Sequence, residues 1–267
     1  MQKSYCLSDD NIELNYFTSC EDCKSLCGDH CHDRYEITYT VSPSGRYIVE
    51  GSEHKVVCGT VMLIAPMRYH HVSLDESDAA EIYTLYFDKS ILSPTILSML
   101  EKITKDEEER GRVYSYDIVS PELIFAFERF KLINSLPATE GKAYMHNLLS
   151  EILILLSATE GVSMHHNENE LGARVAKYIN LSLEKNICLD KLAQKFFVSK
   201  YHLCRAFKTY SGTTVHAYIN HKRILHAKRL IESGMTASHV AERVGFGDYS
   251  AFYRAYLKVV GKSPTAE

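Results

Sequence analysis

Four thiols crowd into twelve residues as Cys20-x2-Cys23-x3-Cys27-x3-Cys31. Thiolates at this density favour Zn, Cu(I) or an iron–sulfur cluster, and the same loop carries Asp22, Asp29 and His32. The spacing follows neither the commonest zinc-ribbon nor the commonest ferredoxin arrangement, so it specifies no metal. A thiol switch that forms disulfides is a competing chemistry, and a silent cluster is the third reading. A second set overlaps the first: His30-x-His32-x3-Glu36, with His70 further on. Imidazoles beside a carboxylate suit Fe, Mn, Ni or Zn with open positions, or a polar pocket for an effector. Cys6, Cys58 and Cys188 stand alone and read as packing residues.

These groups sit where the chain reads as strands. Tyr35-Glu36-Ile37-Thr38-Tyr39-Thr40-Val41 runs into the turn Ser42-Pro43-Ser44-Gly45 and then Arg46-Tyr47-Ile48-Val49. Further short runs follow at 55–57, 60–64 and 81–87. Closely spaced strands broken by turn residues predict a small sandwich or barrel. From about Ser90 the pattern turns helical, and Leu148, Leu149, Ile152, Leu153 and Leu156 recur at helical spacing over 141–157. That stripe is core by default, and a homodimer through the same helix is the alternative. Residues 157–170, with Gly161, His165 and His166, read as a linker.

Charge divides the chain as the pattern does. Residues 1–170 hold 14 Lys and Arg against 28 Asp and Glu, a net −14; residues 171–267 hold 16 against 6, a net +10. An acidic two-thirds joined to a basic third points to a polyanion partner for the C-terminal part alone. The opening ten residues have no apolar core of a signal peptide, and no stretch approaches a membrane span of roughly 18 apolar residues. The expected location is the cytoplasm, where eight cysteines do not form a disulfide framework.

The basic third contains one unit twice. Leu189-Asp190-Lys191-Leu192-Ala193-Gln194-Lys195-Phe196, a turn, and Ser199 to Lys208 are followed by Ser238 to Val244, a turn, and Asp248 to Tyr256. Leu192-Ala193 matches Val240-Ala241 at an offset of 48, and Leu203, Arg205, Phe207 and Gly212 match Phe252, Arg254, Tyr256 and Gly261 at 49. This is helix, tight turn, helix, with Ser199 and Asp248 placed as N-caps of the second helices. Leu203/Phe207 and Phe252/Tyr256 mark the buried faces. The free faces carry Lys200, Tyr201, His202, Cys204, Arg205 and Lys208 in one unit, and Tyr249, Ser250, Tyr253 and Arg254 in the other. Arg can bridge guanine edges or hold phosphates, as a helix in the major groove requires. Between the units Thr214–Glu232 reads as one helix of about 28 Å, near the roughly 34 Å between half-sites one DNA turn apart.

On these residues the C-terminal third resembles the AraC family of bacterial transcription regulators. Gly245-Phe246-Gly247-Asp248-Tyr249-Ser250-Ala251-Phe252-Tyr253-Arg254, continuing to Lys258, Gly261, Ser263 and Pro264, matches the family signature, as do Tyr218-Ile219, Arg223, Ala227 and Leu230-Ile231 in the linker helix. Tyr256 and Leu257 depart from the usual Phe and basic residue. The resemblance implies that Tyr201, Cys204 and Arg205 read bases in one half-site and Tyr249, Ser250 and Arg254 in the other. The N-terminal half resembles the cupin-type sensor domain common in this family, from His30 to Glu36 and from Gly59 to His70. His30, His32, Glu36 and His70 resemble the metal-ligand set of enzymatic cupins, although this regulator family commonly keeps His and Glu there without a metal.

The expected fold is α+β: a cupin-like β-barrel with helices over 1–160, a linker over 161–170, and an all-α domain of two helix-turn-helix units joined by a linker helix over 171–267. The expected function is a non-enzymatic, sequence-specific regulator of transcription. Its partners are a bipartite promoter site in double-stranded DNA, RNA polymerase and an unidentified effector: small molecule, metal or redox state. A cupin metalloenzyme with an incidental basic tail is the alternative, and a nucleoid protein the third reading. The repeated helix-turn-helix argues against the enzyme.

Overall fold

A computed structural model describes residues 5–9, 11–19, 28–42, 44–75, 79–104, 111–164 and 170–265. The chain divides into two compact units, Met1–His165 and His166–Glu267.

Among the described residues the first unit has ten strands: β1 (Tyr5–Asp9), β2 (Ile12–Ser19), β3 (Tyr35–Ser42), β4 (Gly45–Val49), β5 (Ser52–Val56), β6 (Thr60–Ile64), β7 (His70–Leu74), β8 (Ala79–Phe87), β9 (Gly111–Tyr114) and β10 (Val162–Ser163). They form two antiparallel sheets, ordered β1-β2-β8-β3-β6-β9-β10 and β5-β4-β7, the sandwich form of the sandwich or barrel expected. The helices are α1 (Pro94–Ile103), α2 (Pro121–Glu128) and α3 (Ala138–Ala158).

The period-2 alternation of a strand decides what each face of the larger sheet meets. Ile37, Tyr39, Val61, Leu63, Tyr83 and Leu85 share one core with Leu100, Leu123, Phe127 and the α3 stripe. Met62, Ile64 and Ile82 share a second with Tyr47, Val49, Val56 and Val72 of the smaller sheet. Strands covered on both faces become continuously buried, as β6 is at all five positions. Alternating with Ile37 and Tyr39 along β3, Glu36 and Thr38 therefore point to the inside of the sandwich.

One expectation is met here and one is corrected. Leu148, Leu149, Ile152, Leu153 and Leu156 are each at most 1% exposed within their own unit, so the stripe is spent on the core and cannot also seat a dimer partner. Residues 161–164 are not free linker: Val162 and Ser163 pair with Val113 and Arg112, and Met164 is fully buried. The Gly and acidic residues around them hide a two-residue edge strand.

The second unit is helical: α4 (Leu171–Asn180), α5 (Leu189–Lys195), α6 (Lys200–Ser211), α7 (Val215–Glu232), α8 (Ala237–Arg243) and α9 (Tyr249–Val260). Ser199 accepts from the His202 amide, Thr214 from that of Ala217, and Asp248 from those of Ser250 and Ala251. Each cap satisfies amides that the first helical turn leaves unpaired. Gly212 (φ 71°) and Gly261 (φ 78°) close α6 and α9 in the left-handed region. Among the described residues no helix is long and apolar enough to cross a membrane.

Candidate functional site

Two groups of residues carry chemistry. The first lies on α6 and α9. Leu203, Phe207 and Tyr210 bury one side of α6, and Phe252 and Tyr256 bury one side of α9. Lys200, Tyr201, His202, Cys204, Arg205 and Lys208 are exposed on the first helix, as are Tyr249, Ser250, Tyr253 and Arg254 on the second. Lys200 is paired with Asp190 at the start of α5, and Arg205 and Lys208 are exposed further along the same helix. The turns match as well: the Val198 amide donates to the Ala193 carbonyl as the Phe246 amide does to that of Ala241, both at 3.0 Å.

The two helix-turn-helix units are tied together by Arg223 in the middle of α7. Its Nε donates to the Leu183 carbonyl at 3.0 Å, Nη2 to that of Lys185 at 2.8 Å, and Nη1 to that of Gly245 at 2.9 Å. One guanidinium thus joins the segment leading into α5 to the turn between α8 and α9. Burial lowers its pKa somewhat, and the fork still holds its charge at any ordinary pH. In the sequence Arg223 is marked only by the family resemblance of the linker helix; its role becomes visible only when its acceptors are placed.

The second group is the polar interior of the sandwich. Glu36 on β3 is fully buried, and His70 at the start of β7 is 1% exposed. His30 and His32 come from the segment before β3, which is pinned to the approach of β7: the His30 and His70 amides each donate to the other's carbonyl, at 3.1 and 3.0 Å, and Met67 donates to the His32 carbonyl at 2.7 Å. Glu36 Oε2 lies 2.8 Å from His70 Nε2 and 3.0 Å from His32 Nε2. Its Oε1 accepts from Thr38 Oγ1 at 2.8 Å and from the Tyr47 hydroxyl at 3.0 Å. Burial alone would raise the Glu36 carboxyl, but His70 and His32 outweigh it and hold it well below the usual range. Burial alone would lower His70, but Glu36 holds it above its ordinary value. Burial, reinforced by the neighbouring His70, lowers His30 to about 4.

All four residues singled out in the sequence are therefore brought together. Tyr47 and Thr38, which aim the carboxylate, were not among them. The only sequence signal for Thr38 is its position two residues from Glu36 on the same strand face. Of the thiol cluster, Cys31 is buried, while Cys20, Cys23 and Cys27 lie outside the described residues. Cys6 and Cys58 are exposed, which corrects their reading as packing residues.

A sheet unit with a polar interior site and a helical unit with two exposed recognition helices define a DNA-binding regulator with a sensor domain. The comparisons agree. Residues 192–266 match a helix-turn-helix domain and residues 21–104 an AraC-like ligand binding domain. The HTH-type transcriptional activator RhaS of Salmonella schwarzengrund is 24% identical over 244 residues, 88% of this chain and 85% of that protein. RhaS of Salmonella arizonae is 25% identical over the same shares. The crystal structure of unsaturated fatty acid bound ToxT from Vibrio cholerae aligns with 99% of this chain and 96% of its own, at 11% identity and a TM-score of 0.40. The chain is a transcription regulator with an N-terminal AraC-like ligand binding domain and a C-terminal helix-turn-helix domain that binds DNA.

Proposed function

We propose that the chain reads a bipartite promoter site with α6 and α9 in successive major grooves. Tyr201, Cys204 and Arg205 meet base edges in one half-site, and Tyr249, Ser250 and Arg254 in the other. Lys200, His202, Lys208 and Tyr253 flank them toward the phosphates. The observation that carries this reading is the repeated geometry: two capped helices, each with one face buried and a polar, Arg-bearing face exposed. Phosphate contacts position a protein on DNA and base contacts specify the sequence, so the two classes separate by experiment. Arg205→Ala and Arg254→Ala each weaken specific binding by about 1–3 kcal/mol if they read bases. Gel-shift titration against cognate and scrambled promoter DNA measures this. Unchanged discrimination in both variants removes the arginines from the site, and footprints spread evenly over random DNA favour a nucleoid protein.

The regulator works in the cytoplasm without catalysing a reaction, and acts on RNA polymerase at the promoter. An effector held by the sensor unit, with His30, His32, Glu36 and His70 as polar contacts, shifts the population toward the DNA-competent state. A homodimer through the 141–157 helix uses its outer side, where Ile154 is 44% exposed, since the inner stripe is core. The Cys20, Cys23, Cys27 and Cys31 thiols are a second sensing site, for Zn, Cu or an iron–sulfur cluster or as a redox switch.

A further inference from the structure

Each imidazole in the sandwich has one nitrogen already committed. Nδ1 of His30, His32 and His70 lies 2.8, 2.9 and 2.9 Å from the carbonyl oxygens of Gly28, Arg34 and Arg68. A carbonyl only accepts, so each Nδ1 carries a proton, and in a neutral ring Nε2 is left as a lone pair. One ligating atom from each of His30, His32, Glu36 and His70 lies within 4.8 Å of the others.

That arrangement is unbalanced as it stands. Nε2 of His70 and Nε2 of His32 approach the same carboxylate oxygen at 2.8 and 3.0 Å, lone pair against lone pair unless positive charge lies between them. Nε2 of His30 is buried with no hydrogen-bond partner among the described residues. Protonating His32 and His70 would place two imidazoliums on one buried carboxylate and still leave His30 unsatisfied. A single cation at the centre satisfies all four groups at once. The outer contacts are those that hold metal ligands in place: every Nδ1–H is fixed by a backbone carbonyl, and Thr38 and Tyr47 occupy Glu36 Oε1 so that Oε2 faces the histidines. Donors about 2.1 Å from one metal stand roughly 3–3.5 Å apart, so the cluster closes on an ion with small shifts.

We propose that His30, His32 and His70 through Nε2, with Glu36 through Oε2, form a resident site for a divalent first-row transition metal of the zinc or ferrous class. Three imidazoles and one carboxylate select such ions over Mg2+ and Ca2+, which prefer all-oxygen sites. The site lies among the groups assigned above to effector sensing. Its test uses neither DNA nor effector, so failure here leaves the promoter reading standing.

The experiment is titration of the chelator-treated full-length chain with Co2+, then Zn2+, followed by visible absorption and thermal melting. The expected result is one equivalent of Co2+ whose d–d bands carry no thiolate charge transfer and persist in Cys23→Ser/Cys27→Ser, displaced by Zn2+, with a raised melting temperature. His30→Ala, at a partly exposed position, should keep the fold by circular dichroism and lose affinity at least tenfold. Glu36→Gln should do the same, and Cys23→Ser/Cys27→Ser should bind as the parent does. Absence of bound Co2+ overturns the proposal. So does equal affinity in folded His30→Ala and Glu36→Gln, or a charge-transfer band abolished in the double Cys variant, which would place the metal on the thiols.

Discussion

Glu36 in the sheet unit and Arg223 in the helical unit are both charged and both buried, but they are completed in different ways. Arg223 donates to three backbone carbonyls from two separate segments, so its surroundings are finished by the chain itself. Glu36 is finished on one oxygen only. Thr38 and Tyr47 satisfy Oε1, and Oε2 faces imidazole nitrogens that, with Nδ1 protonated, have nothing to donate while the rings are neutral. A buried charge satisfied by fixed acceptors holds a fold together. One left facing other acceptors marks a place where something else must arrive.

The largest expected effect lies on the closed side. Arg223→Met keeps the apolar stem but strips three carbonyls of their donor, and should cost about 3–5 kcal/mol. Urea unfolding followed through the helical unit measures it; a loss below about 1 kcal/mol would show that water replaces the guanidinium at little cost. Next comes Gly245→Ala. Its φ is +83°, and an added Cβ would stand 2.7 Å from Arg223 Nη2, so the substitution strains the backbone and displaces the clamp. About 2 kcal/mol is expected, and the losses of Gly245→Ala and Arg223→Met should be strongly non-additive, since the second removes what the first collides with.

The open side predicts a smaller change. In chelated protein Glu36→Gln exchanges a carboxylate for an amide whose N–H2 can donate to an imidazole Nε2. It should therefore shift stability by no more than about 1 kcal/mol in either direction, although a fully buried ionised residue is being altered. A loss of several kcal/mol would mean that an imidazolium–carboxylate cluster holds the sheets, and the two buried charges would then be alike.

What the sequence shows well is what repeats locally. The N-caps Ser199 and Asp248, the αL glycines Gly212 and Gly261, and the exposed faces of α6 and α9 all follow from helical spacing and a 48–49 residue offset. The His30–Glu36 segment is legible because its ligand types lie within seven residues. What depends on distant pairing is not. Ile12, Leu14 and Tyr16 alternate with Glu13 and Asn15, yet β2 becomes a strand by pairing with β8, with Leu14 opposite Leu85. The clamp made by Arg223 is hidden because its acceptors lie at Leu183, Lys185 and Gly245, far along the chain on either side. Tyr47 reaches Glu36 only because β4 lies in the second sheet.

The finest version of the comparison lies within the repeat. Phe197 stands 48 positions before Gly245, in the equivalent turn, and both have positive φ, 55° and 83°. At Gly245 the fold closes over the position with Arg223; at Phe197 the ring is 94% exposed. A bulky residue in the left-handed region costs roughly 1–2 kcal/mol relative to the right-handed one, and an exposed ring recovers little of that by burial. Replacing it with glycine relieves the strain but adds backbone entropy to the unfolded chain. Phe197→Gly should therefore raise stability modestly, by about 0.5–1 kcal/mol. Urea unfolding of variant and parent decides the sign. A rise means the aromatic is retained for a contact outside the chain, on the face that also presents α6. A fall means the ring packs well enough on its own turn to offset the strain, and Phe197 would join Arg223 among the residues that the fold itself completes.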